Sequence, residues 1–185
     1  MSELKFSDLV EPVEIDRKTA LRITVLGGGS FGTAMANISV RNGCDTKIWI
    51  RDEEIAREIN RTHINQRYLP DYPLEKELQA VSDLEEAVRD RDIILVAIPS
   101  HSFRDVIQKI KPFISAQAVV SLTKGIEAKT FSFMSDIIRD ELPEVPYGVL
   151  SGPNLAKEIM AGMPAGAVIA SHSELVRYAM QQALH

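Results

Sequence analysis

Cysteine is almost absent from this sequence of 185 residues, since Cys44 is its only copy. A disulfide within the chain and a cysteine cluster for a metal are therefore excluded. The four histidines share no ligand spacing, so we predict no metal site. No apolar run approaches the roughly 20 residues that a membrane-spanning helix needs.

Basic residues are also in the minority. The sequence has 21 lysines and arginines against 26 acids, for a net charge of -5. That balance excludes the broad basic face of a general nucleic-acid-binding protein. The N-terminus lacks a signal-peptide pattern, which favours the cytoplasm.

The composition that remains is typical of a globular protein, with 45% hydrophobic and 25% charged residues. The length allows one well-buried core. Residues 1–20 lack a sustained apolar period and contain Pro12, so we expect a flexible leader there. Residues 21–185 are then expected to form a single domain.

Apolar strand patterns alternate with helical patterns along residues 21–185. The strands are predicted at 21–26, 46–50, 78–81, 92–99, 118–122, 147–150 and 164–170. The polar, aromatic and proline-containing stretch 61–73 predicts a loop, with room for one short helical turn. The alternation predicts an α/β fold that is Rossmann-like and doubly wound, with a mostly parallel sheet and helices on both faces. Ligands of such sheets bind beyond the carboxyl ends of the strands.

A glycine turn follows the first predicted strand, with glycines at positions 27, 29 and 32. Gly27 would form the tight turn, Gly29 would let the backbone approach a pyrophosphate, and Gly32 would let the next helix pack on its strand. Ser30 could donate to a phosphate oxygen, and Phe31 either covers the cofactor or packs. A P-loop is excluded because Thr33 and Ala34, rather than Lys and Ser or Thr, follow Gly32. The pattern predicts binding of NAD or NADP.

The second predicted strand ends at Arg51 and Asp52. An acid at this place usually binds the ribose of NAD, and an arginine accommodates the extra phosphate of NADP. Asp52 also fits the N-cap of the following helix, which is the better interpretation. The preference between NAD and NADP stays open at this point.

Two later strand ends carry polar groups suited to a substrate. Lys124 follows a buried strand and could hold a phosphate or polarise a carbonyl. The segment Gly152–Ala156 combines a glycine for close approach, a proline at a helix start and the amide of Asn154. These features favour an anionic or polyol substrate.

Several separated motifs together resemble bacterial NAD(P)-dependent glycerol-3-phosphate dehydrogenase. They are the segments Gly27–Ala34, Ile48–Asp52, Tyr68–Pro70, Val96–Ser100, Thr123–Gly125 and Ser151–Glu158. The resemblance runs from about Leu21 to the end of the sequence.

The resemblance implies reversible reduction of dihydroxyacetone phosphate to sn-glycerol 3-phosphate for phospholipid synthesis, with NAD or NADP as cofactor. The cofactor-binding positions that it implies are Gly27, Gly29, Ser30, Phe31, Gly32, Arg51, Pro99, Lys124 and Ala156. The substrate-binding positions are Lys124, Gly152 and Asn154.

Family members continue into a helical second domain that supplies the catalytic lysine. We therefore expect this chain to be the cofactor domain, with the general acid and base beyond His185. A homodimer of the complete enzyme is a further expectation. Two alternatives stay open: a stand-alone nucleotide-binding or redox-sensing module, and a related dehydrogenase with another substrate.

Overall fold

The computed structural model describes residues 20–185. The predicted leader, residues 1–20, lies outside the described residues except for Ala20. The strands are β1 (Arg22–Leu26), β2 (Asp45–Trp49), β3 (Ile64–Asn65), β4 (Leu69–Pro73), β5 (Gln79–Val81), β6 (Ile93–Val96), β7 (Ala118–Ser121), β8 (Tyr147–Ser151) and β9 (Val168–Ser171). The helices are α1 (Ser30–Arg41), α2 (Glu53–Thr62), α3 (Leu84–Val88), α4 (Phe103–Ile110), α5 (Met134–Glu141), α6 (Ala156–Met160) and α7 (Glu174–Leu184).

Seven strands form the main sheet, in the order β5-β2-β1-β6-β7-β8-β9. All neighbours pair in parallel except β8 and β9, which are antiparallel. The chain winds from β1 outward through β2 and later returns to β6 on the other side of β1. The predicted doubly wound, mostly parallel sheet is confirmed, and its winding reverses between β1 and β6.

Two apolar layers cover the sheet, which confirms helices on both faces. One layer packs α1, α2, α6 and α7 against the sheet, and the other packs α3, α4 and α5. The central strands β6 and β7 are buried along their whole length. Their continuous apolar runs are what burial on both faces requires.

The prediction of a loop over residues 61–73 is wrong. Helix α2 continues to Thr62, and β3 and β4 then form an antiparallel hairpin with an irregular register. His63 ends the helix in a left-handed conformation, with φ of 53°. Pro70 and Pro73 obscured the strand signal, but a two-stranded ribbon tolerates prolines where no ladder hydrogen bond is needed.

The last predicted strand, 164–170, is displaced and shorter, since β9 covers Val168–Ser171. It is an edge strand in which Val168 is 70% exposed. A half-exposed strand at the sheet edge has a weaker apolar signal than β6 or β7, which explains the error in its start.

Candidate functional site

The glycine turn lies where the end of β1 meets the end of β6. Gly27 has φ of +122°, and a Cβ atom there would lie 2.3 Å from the carbonyl oxygen of Ala97. A Cβ on Gly32 would lie 2.0 Å from the carbonyl oxygen of Gly27. A side chain on Gly27 would separate the ends of β1 and β6, and one on Gly32 would separate α1 from β1, so both glycines are required by close packing.

Gly29 has a different environment, because a Cβ atom there would meet no heavy atom within 4 Å. It is the N-cap of α1 but supplies no side-chain cap, and the first turn carries no acid. The backbone N–H groups of Ser30, Phe31 and Gly32 have no hydrogen-bond acceptor within residues 20–185. Free N–H groups and the positive end of the helix dipole therefore face open space, an arrangement that binds anions.

Asn65, on the β3–β4 hairpin, supports this turn through hydrogen bonds. The sequence did not predict a role for it. Its side chain is fully buried, and Nδ2 donates to the carbonyl oxygen of Gly28 at 3.0 Å and to Oγ1 of Thr33 at 2.9 Å. An asparagine in a segment predicted as a loop gives no signal of burial. Only the β3–β4 hairpin reveals the contact.

The same hairpin reaches the first residue of α1. The hydroxyl of Ser30 donates to the carbonyl oxygen of Tyr68 at 3.3 Å. The Ser30 hydroxyl has one hydrogen to donate. To donate it to a phosphate, Ser30 would have to break its hydrogen bond with Tyr68. The backbone N–H of Ser30 is free for an anion without such a change.

At the end of β2, Asp52 and Arg51 have separate surroundings. One carboxylate oxygen of Asp52 accepts from the backbone N–H groups of Glu54 at 3.0 Å and Ile55 at 3.4 Å. The N-cap interpretation of Asp52 is confirmed. Arg51 is exposed and forms no ion pair among the described residues, so its guanidinium is available to a bound anion.

Lys124 and Asn154 share one cleft with the start of α1. The cleft has a volume of about 290 Å³. Its lining residues are Ser30, Phe31, Ala97, Ile98, Leu122, Thr123, Lys124, Asn154, Leu155 and Ala156. Five of the predicted site residues are thus brought together, while Arg51 and the exposed Pro99 lie at neighbouring strand ends outside this lining.

Thr123 fixes the strand end from which Lys124 projects. Its hydroxyl lies 3.1 Å from the carbonyl oxygen of Val96 and 2.9 Å from that of Ile98. The ends of β6 and β7 are therefore tied together directly beside the glycine turn. The Nζ atom of Lys124 lies 3.3 Å from the carbonyl oxygen of Gly152, which places the ammonium group over the end of β8.

The Asn154 side chain leaves one acceptor without a partner. Its Oδ1 atom is buried and accepts no hydrogen bond among the described residues. Buried acceptors are normally satisfied, so an unpaired one beside a cleft suits a donor such as a ligand hydroxyl. Gly152 allows this arrangement because a Cβ there would lie 2.9 Å from Nδ2 of Asn154, as well as 2.4 Å from the carbonyl oxygen of Gly166.

A charged cluster anchors the loop that follows Lys124. Arg104 on α4 binds both carboxylate oxygens of Glu127, at 2.8 and 2.9 Å, and one oxygen of Glu141 on α5, at 2.7 Å. Hydrogen bonds from Arg104 and Thr130 lower the pKa of Glu127 to about 2. The loop is thereby held to two helices on the face of the sheet opposite α1.

Residues 20–185 lack the features of two other classes of site, a membrane span and a metal centre. No helix in this range is long and apolar enough to cross a membrane. Nor does any group of three or more histidine, cysteine or acidic residues there have an arrangement that could hold a metal ion.

Comparison with known proteins gives the family. Residues 22–176 match the family described as NAD-dependent glycerol-3-phosphate dehydrogenase N-terminus. A curated glycerol-3-phosphate dehydrogenase [NAD(P)+] from Acinetobacter baumannii (strain SDF) is 82% identical over 185 residues, which are 100% of this chain and 52% of that protein. One from Psychrobacter cryohalolentis is 56% identical over 167 residues, covering 90% of this chain and 39% of its own length.

A solved structure agrees with these relatives. The crystal structure of glycerol-3-phosphate dehydrogenase from Coxiella burnetii superposes with a TM-score of 0.85 at 33% identity, covering 90% of this chain and 51% of that one. The chain spans about half the length of the curated Acinetobacter relatives that it matches. Its match extends from the start of β1 into α7, and on this evidence the chain belongs to the NAD-dependent glycerol-3-phosphate dehydrogenase family, of which it carries the N-terminal region.

Proposed function

We propose that this chain binds NADH or NADPH at the carboxyl ends of its parallel strands and, within a complete enzyme, takes part in the reduction of dihydroxyacetone phosphate to sn-glycerol 3-phosphate. The observation that carries the proposal is the shared cleft. The free N-terminus of α1, the ammonium group of Lys124 and the unpaired Oδ1 of Asn154 all face it or border it. A dinucleotide and a small anionic substrate could thus lie side by side.

The cradle suits the pyrophosphate of a dinucleotide. Gly27 and Gly32 hold the turn tight, and Gly29 leaves open the space that a phosphate would enter. Arg51 lies one strand further along the sheet, where an adenosine 2′-phosphate or ribose would be reached. Pro99 and Ala156 complete the proposed cofactor contacts. Phe31 packs partly against the core and also borders the cleft, so it could cover the cofactor from a fixed position.

The residues that would bind the substrate lie on the other side of the cradle. Lys124 would hold the phosphate or the carbonyl oxygen by charge, and Asn154 would accept from a substrate hydroxyl above the backbone of Gly152. A bound NADH or NADPH would supply a hydride to the carbonyl carbon. The carbonyl oxygen then needs a proton, and the family resemblance predicts a lysine beyond His185 for that step.

Calorimetric titration of the chain with NADH and NADPH tests the cofactor part of the proposal. We expect both nucleotides to bind at a single site, and Arg51→Ala to weaken NADPH more than NADH because only NADPH carries the 2′-phosphate. Failure of both nucleotides to bind would refute the proposal.

Lys124→Ala in a full-length enzyme tests the substrate part. We expect a large rise in KM for dihydroxyacetone phosphate. The matched control is Lys109→Ala, because Lys109 is an exposed lysine on α4, outside the lining of the cleft. Equal kinetics for the two variants would remove Lys124 from the site. Dimer formation and a cytoplasmic location stay predictions of the sequence.

A further inference from the structure

We propose that Asn65 is a positioning residue of the anion cradle: its buried amide orients the peptide between Gly28 and Gly29 so that the Gly29 N–H faces the side of the turn where a phosphate would bind. The inference rests on the proposed function, because the anion is the pyrophosphate of NADH or NADPH. Asn65 itself is not expected to touch the nucleotide.

The amide of Asn65 uses all of its hydrogen-bonding groups on the turn and its own hairpin. Nδ2 donates to the carbonyl oxygen of Gly28 at 3.0 Å and to Oγ1 of Thr33 at 2.9 Å. Oδ1 accepts from the backbone N–H of Tyr68 at 3.3 Å. Both Asn65 and Thr33 are fully buried, so water cannot substitute for the bond between them.

The hydrogen bond to the Gly28 carbonyl also fixes the direction of the Gly29 N–H, because both groups belong to the same peptide. In a planar trans peptide, the carbonyl oxygen and the N–H of the next residue point in opposite directions. Because Asn65 holds the Gly28 carbonyl on the hairpin side, the Gly29 N–H points away from the hairpin. No group among residues 20–185 accepts a hydrogen bond from this N–H. A Cβ on Gly29 would meet nothing within 4 Å, so the turn also has open space at this residue.

The contact with Thr33 secures the same orientation from the helix. Thr33 makes the first helical hydrogen bond of α1, from its N–H to the carbonyl oxygen of Gly29 at 2.9 Å. Asn65 thus links the residue before the N-cap to the residue that closes the first turn. A side chain without two N–H donors at position 65 would leave one of these two oxygens buried and unpaired.

Asparagine is the residue type that these contacts require. A carboxylate at position 65 would have the same shape but no N–H donor, and it would place an acceptor against the Gly28 carbonyl. It would also add a negative charge beneath the anion site, so Asn65→Asp is the sharpest variant. Asn65→Ala removes the donors without adding charge and serves as the second variant if the first does not fold.

The matched control is Asn60→Asp. The side chain of Asn60 also bonds a backbone pair, donating to the carbonyl oxygen of Ala80 and accepting from its N–H, both at 2.8 Å. These bonds join α2 to β5 and lie outside the glycine turn. The control therefore loses a comparable backbone hydrogen bond without disturbing the cradle.

The experiment is calorimetric titration of the chain and its three variants with NADH, at a temperature where circular dichroism shows each to be folded. We expect Asn65→Asp and Asn65→Ala to bind NADH at least about tenfold more weakly, as loss of a buried partner allows, and Asn60→Asp to bind like the unaltered chain. The loss of NADH affinity in Asn65→Asp should become smaller at mildly acid pH, where the introduced carboxyl gains a proton that it can donate. The loss in Asn65→Ala should not change with pH.

The outcomes separate the two proposals. If the unaltered chain binds neither NADH nor NADPH, the proposed function is refuted and this inference with it. If the unaltered chain binds NADH and the folded Asn65 variants bind equally well, only the role of Asn65 is refuted. Equal losses in the Asn65 and Asn60 variants would likewise refute it, because they would indicate a general effect of stability.

Discussion

Substituting Gly29 and Gly32 by alanine, one at a time, separates two functions of the glycine turn. Gly29 leaves space for a ligand, and Gly32 lets α1 pack closely on β1. Gly29 has φ of -71°, which alanine adopts readily, and its Cβ would enter open space. A Cβ on Gly32 would lie 2.0 Å from the Gly27 carbonyl oxygen and 3.2 Å from Cβ of Ala97. The methyl group of Gly29→Ala would therefore contact only a bound ligand, whereas that of Gly32→Ala would clash with the protein itself.

The expected effects on stability differ accordingly. For Gly29→Ala, a poorer N-cap costs about 0.5–1.5 kcal/mol, and the lower entropy of the unfolded chain returns about 0.4–1 kcal/mol. The free energy of unfolding should thus change by less than about 1 kcal/mol. For Gly32→Ala, α1 must move by roughly 1.5 Å to restore an ordinary contact of about 3.5 Å. Such overpacking costs about 1–3 kcal/mol, against a gain of about 1 kcal/mol from helix propensity.

The expected effects on binding are alike. The methyl group of Gly29→Ala keeps a phosphate from the free N–H groups, and each hydrogen bond to a charged group is worth about 1.5–3 kcal/mol. NADH should then bind about 10 to 100 times more weakly, at 1.4 kcal/mol for each factor of ten. Gly32→Ala should lose affinity because the start of α1 is displaced.

Urea denaturation and NADH titration of both variants make the measurement, with Gly43→Ala as a control. Gly43 has open space around a Cβ but a left-handed φ of +82°, so that variant should lose stability and keep its affinity. A Gly29→Ala variant that binds NADH as tightly as the unaltered chain would refute the placement of the phosphate. A Gly32→Ala variant that gained the roughly 1 kcal/mol expected from helix propensity alone would refute the close packing of α1.

Two further predictions concern charged residues around the cradle. Asp52→Ala should lower the free energy of unfolding by about 0.5–2 kcal/mol through loss of the α2 cap, whereas Asp52→Asn should retain most of it; equal losses in urea denaturation would refute the cap. Hydrogen bonds from Arg104 and, to a lesser extent, Thr130 lower the pKa of Glu127 from its ordinary 4.5 to about 2. The ion pair with Arg104 therefore contributes stability above pH about 4.5, and that contribution is lost as pH falls towards 2. In Arg104→Gln, the free energy of unfolding should therefore decrease less than in the unaltered chain as pH falls over this range. Parallel curves of unfolding free energy against pH for the two proteins would contradict the prediction.

Much of the candidate site could be predicted because it depends on local chemistry. The strand before Gly27, the cap at Asp52 and the lysine after β7 are each visible in a few neighbouring residues. Asn65 could not be predicted, because its role depends on a hairpin with two prolines and no clear strand period. The unpaired Oδ1 of Asn154 was also invisible, since only the folded chain shows which acceptors are buried without a partner.

The sequence by itself determined the class of fold and the segments that we propose to face the ligands. Apolar runs specify buried strands, and the glycine spacing specifies a turn that side chains would obstruct. Only the tertiary structure decided the strand order, because backbone hydrogen bonds between parallel strands are the same for any pairing and the order depends on how the whole chain packs. That order places β1 between β2 and β6, so that Gly27 lies against Ala97 and the free N-terminus of α1 borders one cleft with Lys124 and Asn154.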